Sequence, residues 1–90
     1  MTMLKRLTAW LEQRRSKQAA VTRACAAFRA SHRVEPMGGH VLSHDPQRTI
    51  VRVMYVTDHI PPNRIWYAIA GDDIREIPFE EVAHLEGPWR

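Results

Sequence analysis

The 90-residue sequence has a single cysteine, Cys25, and only 8% of its residues are aromatic. One cysteine excludes an internal disulfide bond and a cysteine-based metal site within one chain, which suits a reducing, cytoplasmic compartment. No apolar run approaches the roughly 18 residues that a membrane span requires, so we expect no membrane partner. The start of the chain also lacks the apolar block of a secretory signal.

Glycine and proline are absent before Pro36, and good helix formers dominate that region. Its apolar residues recur at spacings of three and four, which is typical of a helix with one packed face. Arg14 and Gln18 interrupt this stripe. A helix over residues 3–31 therefore either projects partly beyond the core or divides near Ser16, and we favour one continuous helix. The stripe consists of Met3, Leu7, Trp10, Val21, Cys25 and Phe28.

From His40 onward the spacing of apolar residues changes to two, which predicts strands. Proline, glycine and aspartate separate these strands and favour turns. The segment 79–86 fits either a helix or a final strand. The predicted strands are 40–44, 48–59, 64–70 and 74–77, and the predicted turns are Asp45-Pro46-Gln47, Pro61-Pro62-Asn63 and Gly71-Asp72-Asp73.

The order of elements predicts one α+β domain spanning residues 1–90. In this arrangement the long N-terminal helix packs on an antiparallel meander of about four strands within residues 38–86, because so small a sheet needs one covered face. The alternative is the same helix appended to a small SH3-like barrel formed by the strands.

Charge is divided unequally along the chain. Residues 1–33 carry eight basic side chains and one acid, for a net +7, whereas residues 34–90 carry five arginines and nine acids, for a net −4. The basic helix makes nucleic-acid binding an alternative function. At about 100° per residue, however, its charges spread around the helix, and the acidic half would repel a phosphate backbone. The possible nucleic-acid contacts are Lys5, Arg6, Arg14, Arg15 and Lys17.

No grouping of chemical side chains points to catalysis. His40 and His44 are predicted to share one face of a strand, opposite Val53 and Thr49, but no third metal ligand follows from the sequence. Cys25 lies in the apolar stripe, where a thiol usually behaves as a small hydrophobic group. We therefore predict no catalytic residue, metal ligand or cofactor. A small-ligand or enzymatic pocket between helix and sheet, near the histidines, is a second alternative.

Adjacent strand residues point to opposite faces of a sheet, so Trp66 and Tyr67 are predicted to lie on different sides. If the helix covers Tyr67, then Trp66 lies on the outer face with Met54 and Val56. That face is either a partner-binding surface or is buried by the C-terminal element. The leading hypothesis is a small non-enzymatic protein-interaction or accessory module that self-associates through this face. The predicted interaction surface is Trp10, Met54, Val56 and Trp66.

Overall fold

The computed structural model describes residues 2–45, 47–57 and 60–87, although the side chains of residues 2–5 and 60–62 lie outside the description. A long helix precedes a four-stranded sheet, and a short helix follows it, which confirms the α+β prediction. The elements in chain order are α1 (Thr2–His32), β1 (Gly38–His44), β2 (Thr49–Thr57), β3 (Ile60–Ala70), β4 (Asp73–Ile77) and α2 (Phe79–Glu86).

The sheet is an antiparallel meander in the order β1-β2-β3-β4. Short turns follow β1 and β3, as the sequence predicts: Asp45 and Arg48 exchange backbone hydrogen bonds of 3.2 and 3.1 Å, and Gly71 has a φ of 61° in the β3–β4 turn. Glycine suits that turn because a positive φ is costly for other residues. Within the described residues β1 and β4 are open edges, so the sheet is not the barrel of the alternative prediction.

The segment after α1 is held by local contacts. Arg33 takes a left-handed φ of 56°, and its amide donates to the carbonyl of Arg29 over 3.0 Å, which ends the helix. The guanidinium of Arg29 then binds the carboxylate of Glu35 at 2.8 Å. This hydrogen bonding holds the pKa of Glu35 below its usual value. Together these contacts direct the chain into β1.

Each face of the sheet carries one helix and its own cluster of buried side chains. The inner part of α1 covers one face, where Gly39 allows close approach: a Cβ at that position would lie 3.0 Å from Cγ1 of Val21. Helix α2 covers part of the opposite face. The α1 cluster is Ala20, Ala24, Cys25, Phe28, Val51, Val53, Ile65, Tyr67 and Ile69, and the α2 cluster is Ile50, Ala68, Ile77 and Val82.

The predicted turn at Pro61-Pro62-Asn63 is wrong, because these residues belong to β3. Pairing with β2 continues there, with Asn63 opposite Tyr55 and an irregularity in register beyond it. On the other side of β3, pairing with β4 begins only at Trp66. The start of β3 therefore has a single neighbour, and a strand with one unpaired side accommodates proline. Asp58 and His59, predicted within the preceding strand, lie outside the described residues.

The predicted sharing of one face by His40 and His44 is also wrong. The register of β1 shifts between Val41 and Ser43, which is a β-bulge. His44 pairs with Thr49 as predicted, but His40 pairs with Arg52 and not with Val53. Since one extra residue reverses the alternation of side chains, the two histidines belong to opposite faces of the sheet.

Candidate interaction surface

The N-terminal part of α1 extends past the body of the protein, and residues 14–19 border the sheet across open clefts. Every described side chain from residue 6 to residue 19 is exposed, and the first buried residue of the helix is Ala20. We call residues 2–19 the overhang. At 1.5 Å per residue the overhang is about 27 Å long. The radius of gyration is accordingly 14.7 Å, where a compact chain of this length has about 12 Å.

Three large apolar side chains of the overhang are exposed to solvent. Leu7 is 54% exposed, Trp10 53% and Leu11 39%. At about 100° per residue these three and Arg14 fall within about 100° of one another around the helix. We call these four residues the apolar strip. The guanidinium of Arg14 lies over the ring of Trp10, 5.4 Å from its centroid, so a cation is held within the strip.

Basic side chains flank the apolar strip on both sides. By the same helical geometry, Arg6 and Lys17 lie along one flank and Arg15 along the other. None of these three, nor Arg14, forms an ion pair within the described part of the chain. The side chain of Lys5, also predicted as a nucleic-acid contact, lies outside the described residues. The sequence of the overhang contains five basic residues and one acid, Glu12, for a net charge of +4.

An open cleft of about 650 Å³ lies beside the overhang where the helix leaves the sheet. It is formed by one side of the overhang, including Trp10 and Gln13, and by His44 at the end of β1. His44 also lies 3.1 Å from the hydroxyl of Thr49 through its Nδ1 atom. His40 lines a separate cleft. The histidines that suggested a ligand pocket are therefore not brought together.

The other three residues of the predicted surface lie on the sheet face that carries α2. Val56 is 46% exposed, whereas Met54 and Trp66 are half-buried. The ring of Trp66 packs against Phe79 at the start of α2, with 5.4 Å between ring centroids. The structure thus separates Trp10 from this group: it lies on the overhang, while the other three lie on the sheet.

A buried carboxylate attaches the end of α2 to the sheet. The side chain of Glu86 is 1% exposed and accepts hydrogen bonds from Nη1 of Arg52, at 2.8 Å, and from Nε1 of Trp66, at 2.7 Å. Removing two charges from water is costly unless they are paired and hydrogen-bonded. Here the partners lie on adjacent strands, so the contact fixes α2 across both of them.

Buried titratable groups in the α1 cluster show no arrangement for chemistry. Burial raises the pKa of the Cys25 thiol, which favours its protonated, unreactive form. Burial also raises the pKa of Tyr67 to about 12. Among the described residues, no three His, Cys, Asp or Glu side chains are placed to hold a metal ion. No helix in the described ranges combines the length and hydropathy that crossing a membrane requires.

The comparisons of this chain with family models, with curated proteins and with solved structures found no match.

The sequence leaves two features of the surface unresolved. It includes Leu7 in the apolar stripe without showing where packing on the sheet ends, and the structure exposes both Leu7 and Leu11. The interruption at Arg14 and Gln18 was the available signal that packing ends there. The sequence also leaves open whether residues 79–86 form a helix that covers the outer sheet face. Pro78 at the N-cap and two glutamates in the first turn are nevertheless typical of a helix start.

Proposed function

We propose that the chain is a small non-enzymatic interaction module that docks on another protein through the apolar strip of its overhang. The observation that carries this proposal is the exposure of Leu7, Trp10 and Leu11 on a helical segment that no part of the described body covers. Complete burial of a leucine-sized side chain contributes about 1.5–3 kcal/mol, so covering the exposed half of each of these residues contributes on the order of 1 kcal/mol. Tryptophan and arginine are also the residue types that most often dominate binding energy at protein interfaces.

The sheet face around Met54, Val56 and Trp66 supports docking less well. Helix α2 occupies part of it, and the indole of Trp66 is already hydrogen-bonded to Glu86. Self-association through that face, the first hypothesis from the sequence, therefore becomes the secondary arrangement of this proposal. A cytoplasmic location belongs to the proposal as well, because Cys25 is a buried free thiol.

Site-specific photo-crosslinking in the cells that produce the protein tests this proposal. A photoreactive amino acid replaces Leu11 on the overhang, and a matched variant carries it at the exposed Ala83 on α2. We expect a discrete protein adduct from position 11 and none from position 83. A third variant with the group at Val56 probes the sheet face. An adduct of twice the chain mass identifies self-association, and a larger shift identifies a different protein.

The added substitution Trp10→Ser should abolish the adduct formed from position 11. The proposal is overturned if position 11 gives no more adduct than position 83, or if Trp10→Ser leaves the adduct unchanged. An adduct formed only from position 56 would show that the interaction surface is the sheet face around Val56.

Nucleic-acid binding is the second candidate, favoured by the four exposed cations of the overhang, which lack acidic partners within the described residues. If all four contacted phosphates of a DNA duplex, the logarithm of the binding constant would fall with that of salt concentration with a slope of about −4. A gel-shift titration with a DNA duplex at several salt concentrations measures this slope. Absence of a shift at low salt removes this candidate.

A further inference from the structure

We infer that the segment docking on the overhang is an acidic amphipathic helix of a different protein. This inference rests on the proposed function and adds the chemistry of the partner. Its basis is the combination, on one exposed helix, of a narrow apolar strip with basic side chains along both flanks.

The width of the strip matches a helix and not a flat surface. Leu7, Trp10, Leu11 and Arg14 have the spacing i, i+3, i+4 and i+7, which is the pattern by which one helix packs along another. Toward the body the strip ends at Arg14, which borders His40 and Val41 of β1 across an open cleft. The outer part of the overhang, residues 2–14, is about 20 Å long and accommodates about three to four turns of a partner helix.

The charge of the overhang determines the chemistry of the partner. The net charge is +4, and three of its five basic residues flank the strip where the charged positions of a partner helix would lie. Carboxylates at those positions are attracted to Arg6, Arg15 and Lys17. Within the strip, the guanidinium stacked on Trp10 presents further donors to a carboxylate. Charge complementarity thus acts on both sides of the apolar contact.

The same charge disfavours pairing of the overhang with a second copy of itself. Two overhangs side by side would bring together two segments of net charge +4, with only one acid in each to offset them. Lipid is disfavoured for a different reason. Arg14 and Gln18 lie in the direction of the apolar strip, so a membrane-facing surface would have to bury both polar groups.

Binding of synthetic peptides to the full chain tests this inference. The first probe is a helical peptide of about 18 residues, with leucine along one strip and glutamate on both flanks. The second has lysine in place of glutamate, and the third keeps glutamate but has serine in place of leucine. We expect measurable binding, by calorimetry, of the first peptide alone.

Protein variants separate the apolar and electrostatic contributions. Leu7→Ser and Arg14→Gln should each weaken binding of the glutamate–leucine peptide about tenfold, the loss typical of removing one interface anchor. Matched changes on the body, Met37→Ser and Arg75→Gln, should leave the affinity unchanged; both residues are exposed there. Circular dichroism of each variant confirms that the fold is retained.

Different failures have different consequences. Equal binding of the lysine peptide overturns the acidic partner but leaves docking through the strip standing. Equal binding of the glutamate–serine peptide overturns the apolar contact and favours a nucleic-acid or other anionic ligand. If no peptide binds and the protein instead sediments with vesicles of phosphatidylglycerol and phosphatidylcholine, the partner is a membrane surface. If photo-crosslinking at position 11 also fails, the proposed function falls together with the inference.

Discussion

The indole nitrogen of Trp66 donates a hydrogen bond to the carboxylate of Glu86 over 2.7 Å, and this contact fixes the last residue of α2 on the sheet. The same carboxylate receives the guanidinium of Arg52 from the neighbouring strand. A sheet face that would otherwise expose Trp66 is thereby covered by eight residues of helix. This acidic side chain therefore acts together with the buried Val82 to hold α2 on the sheet.

Glu86→Ala should lower the free energy of unfolding by about 2 kcal/mol, because it removes a buried carboxylate that pairs with Arg52 and accepts a hydrogen bond from Trp66. The measurement is urea unfolding followed by circular dichroism. Glu81→Ala provides the matched control on the same helix, since its pair with Arg48 is half exposed and should contribute about 0.3 kcal/mol. Equal losses for the two variants would show that the buried contact does not stabilise α2.

Gly39→Ala should destabilise the protein by about 1–2 kcal/mol, because the added methyl would lie 3.0 Å from Val21 and would push α1 away from β1. Gly38→Ala is the adjacent control: a Cβ there meets no atom within 4 Å, so the change should be within about 0.5 kcal/mol. Thermal unfolding of both variants gives the comparison. A neutral Gly39→Ala would contradict the close approach of helix and strand.

Phe28→Ala should cost about 3 kcal/mol, since this ring is fully buried and packs against Tyr55 with 4.9 Å between centroids. Trp10→Ala removes a larger side chain from the same helix but should change the free energy of unfolding by less than about 0.5 kcal/mol. Urea titration of the two variants measures the contrast. A substantial loss for Trp10→Ala would show that the overhang packs against the body in solution.

Tyr67→Phe should raise the free energy of unfolding at neutral pH by about 1 kcal/mol, because the buried hydroxyl has no hydrogen-bond partner among the described residues. The same substitution also tests how the free energy of unfolding depends on pH in the alkaline range. Burial raises the pKa of Tyr67 from about 10 in the unfolded chain to about 12, so the folded state holds this proton more tightly.

The ionisation of this tyrosine therefore leaves stability unchanged below pH of about 10, and it lowers the free energy of unfolding as the pH rises from about 10 to about 12. Over this interval the wild type should lose about 2 kcal/mol more than Tyr67→Phe. Denaturant titrations at several alkaline pH values, together with phenolate absorbance, measure the difference. Parallel curves for the two proteins would mean that the phenol ionises with its ordinary pKa in the folded state.

The alternation of apolar and polar residues was sufficient to predict four strands and to separate their two faces, but not to decide which face the helix covers. Ile65, Tyr67 and Ile69 pack against α1 as their spacing of two indicates. The bulge in β1 could not be predicted from the sequence. An extra residue is visible as a break in the alternation of apolar and polar residues only when each side chain clearly suits one face, and several residues of β1 suit either face. The prolines at the start of β3 were misassigned for a related reason: whether proline is tolerated depends on how many neighbours a strand has at that point.

The candidate surface was only partly predictable. The sequence identified Trp10, Arg14 and the interrupted stripe, but a stripe on a helix does not show how far the surface it packs against extends. The extent of the sheet determines which apolar residues of α1 are buried in the core. Val21 meets β1, whereas Leu7 and Leu11, of the same chemical type and spacing, extend past the sheet into solvent.

The sequence by itself determined the type and order of the long helix and the four strands, because helix and strand periodicities are local properties of neighbouring residues, but it left residues 79–86 open between helix and strand. Only the tertiary structure decided which faces remain open. The exposure of the overhang and the partial cover of the outer sheet face by α2 both depend on how residues far apart in the chain are placed relative to one another.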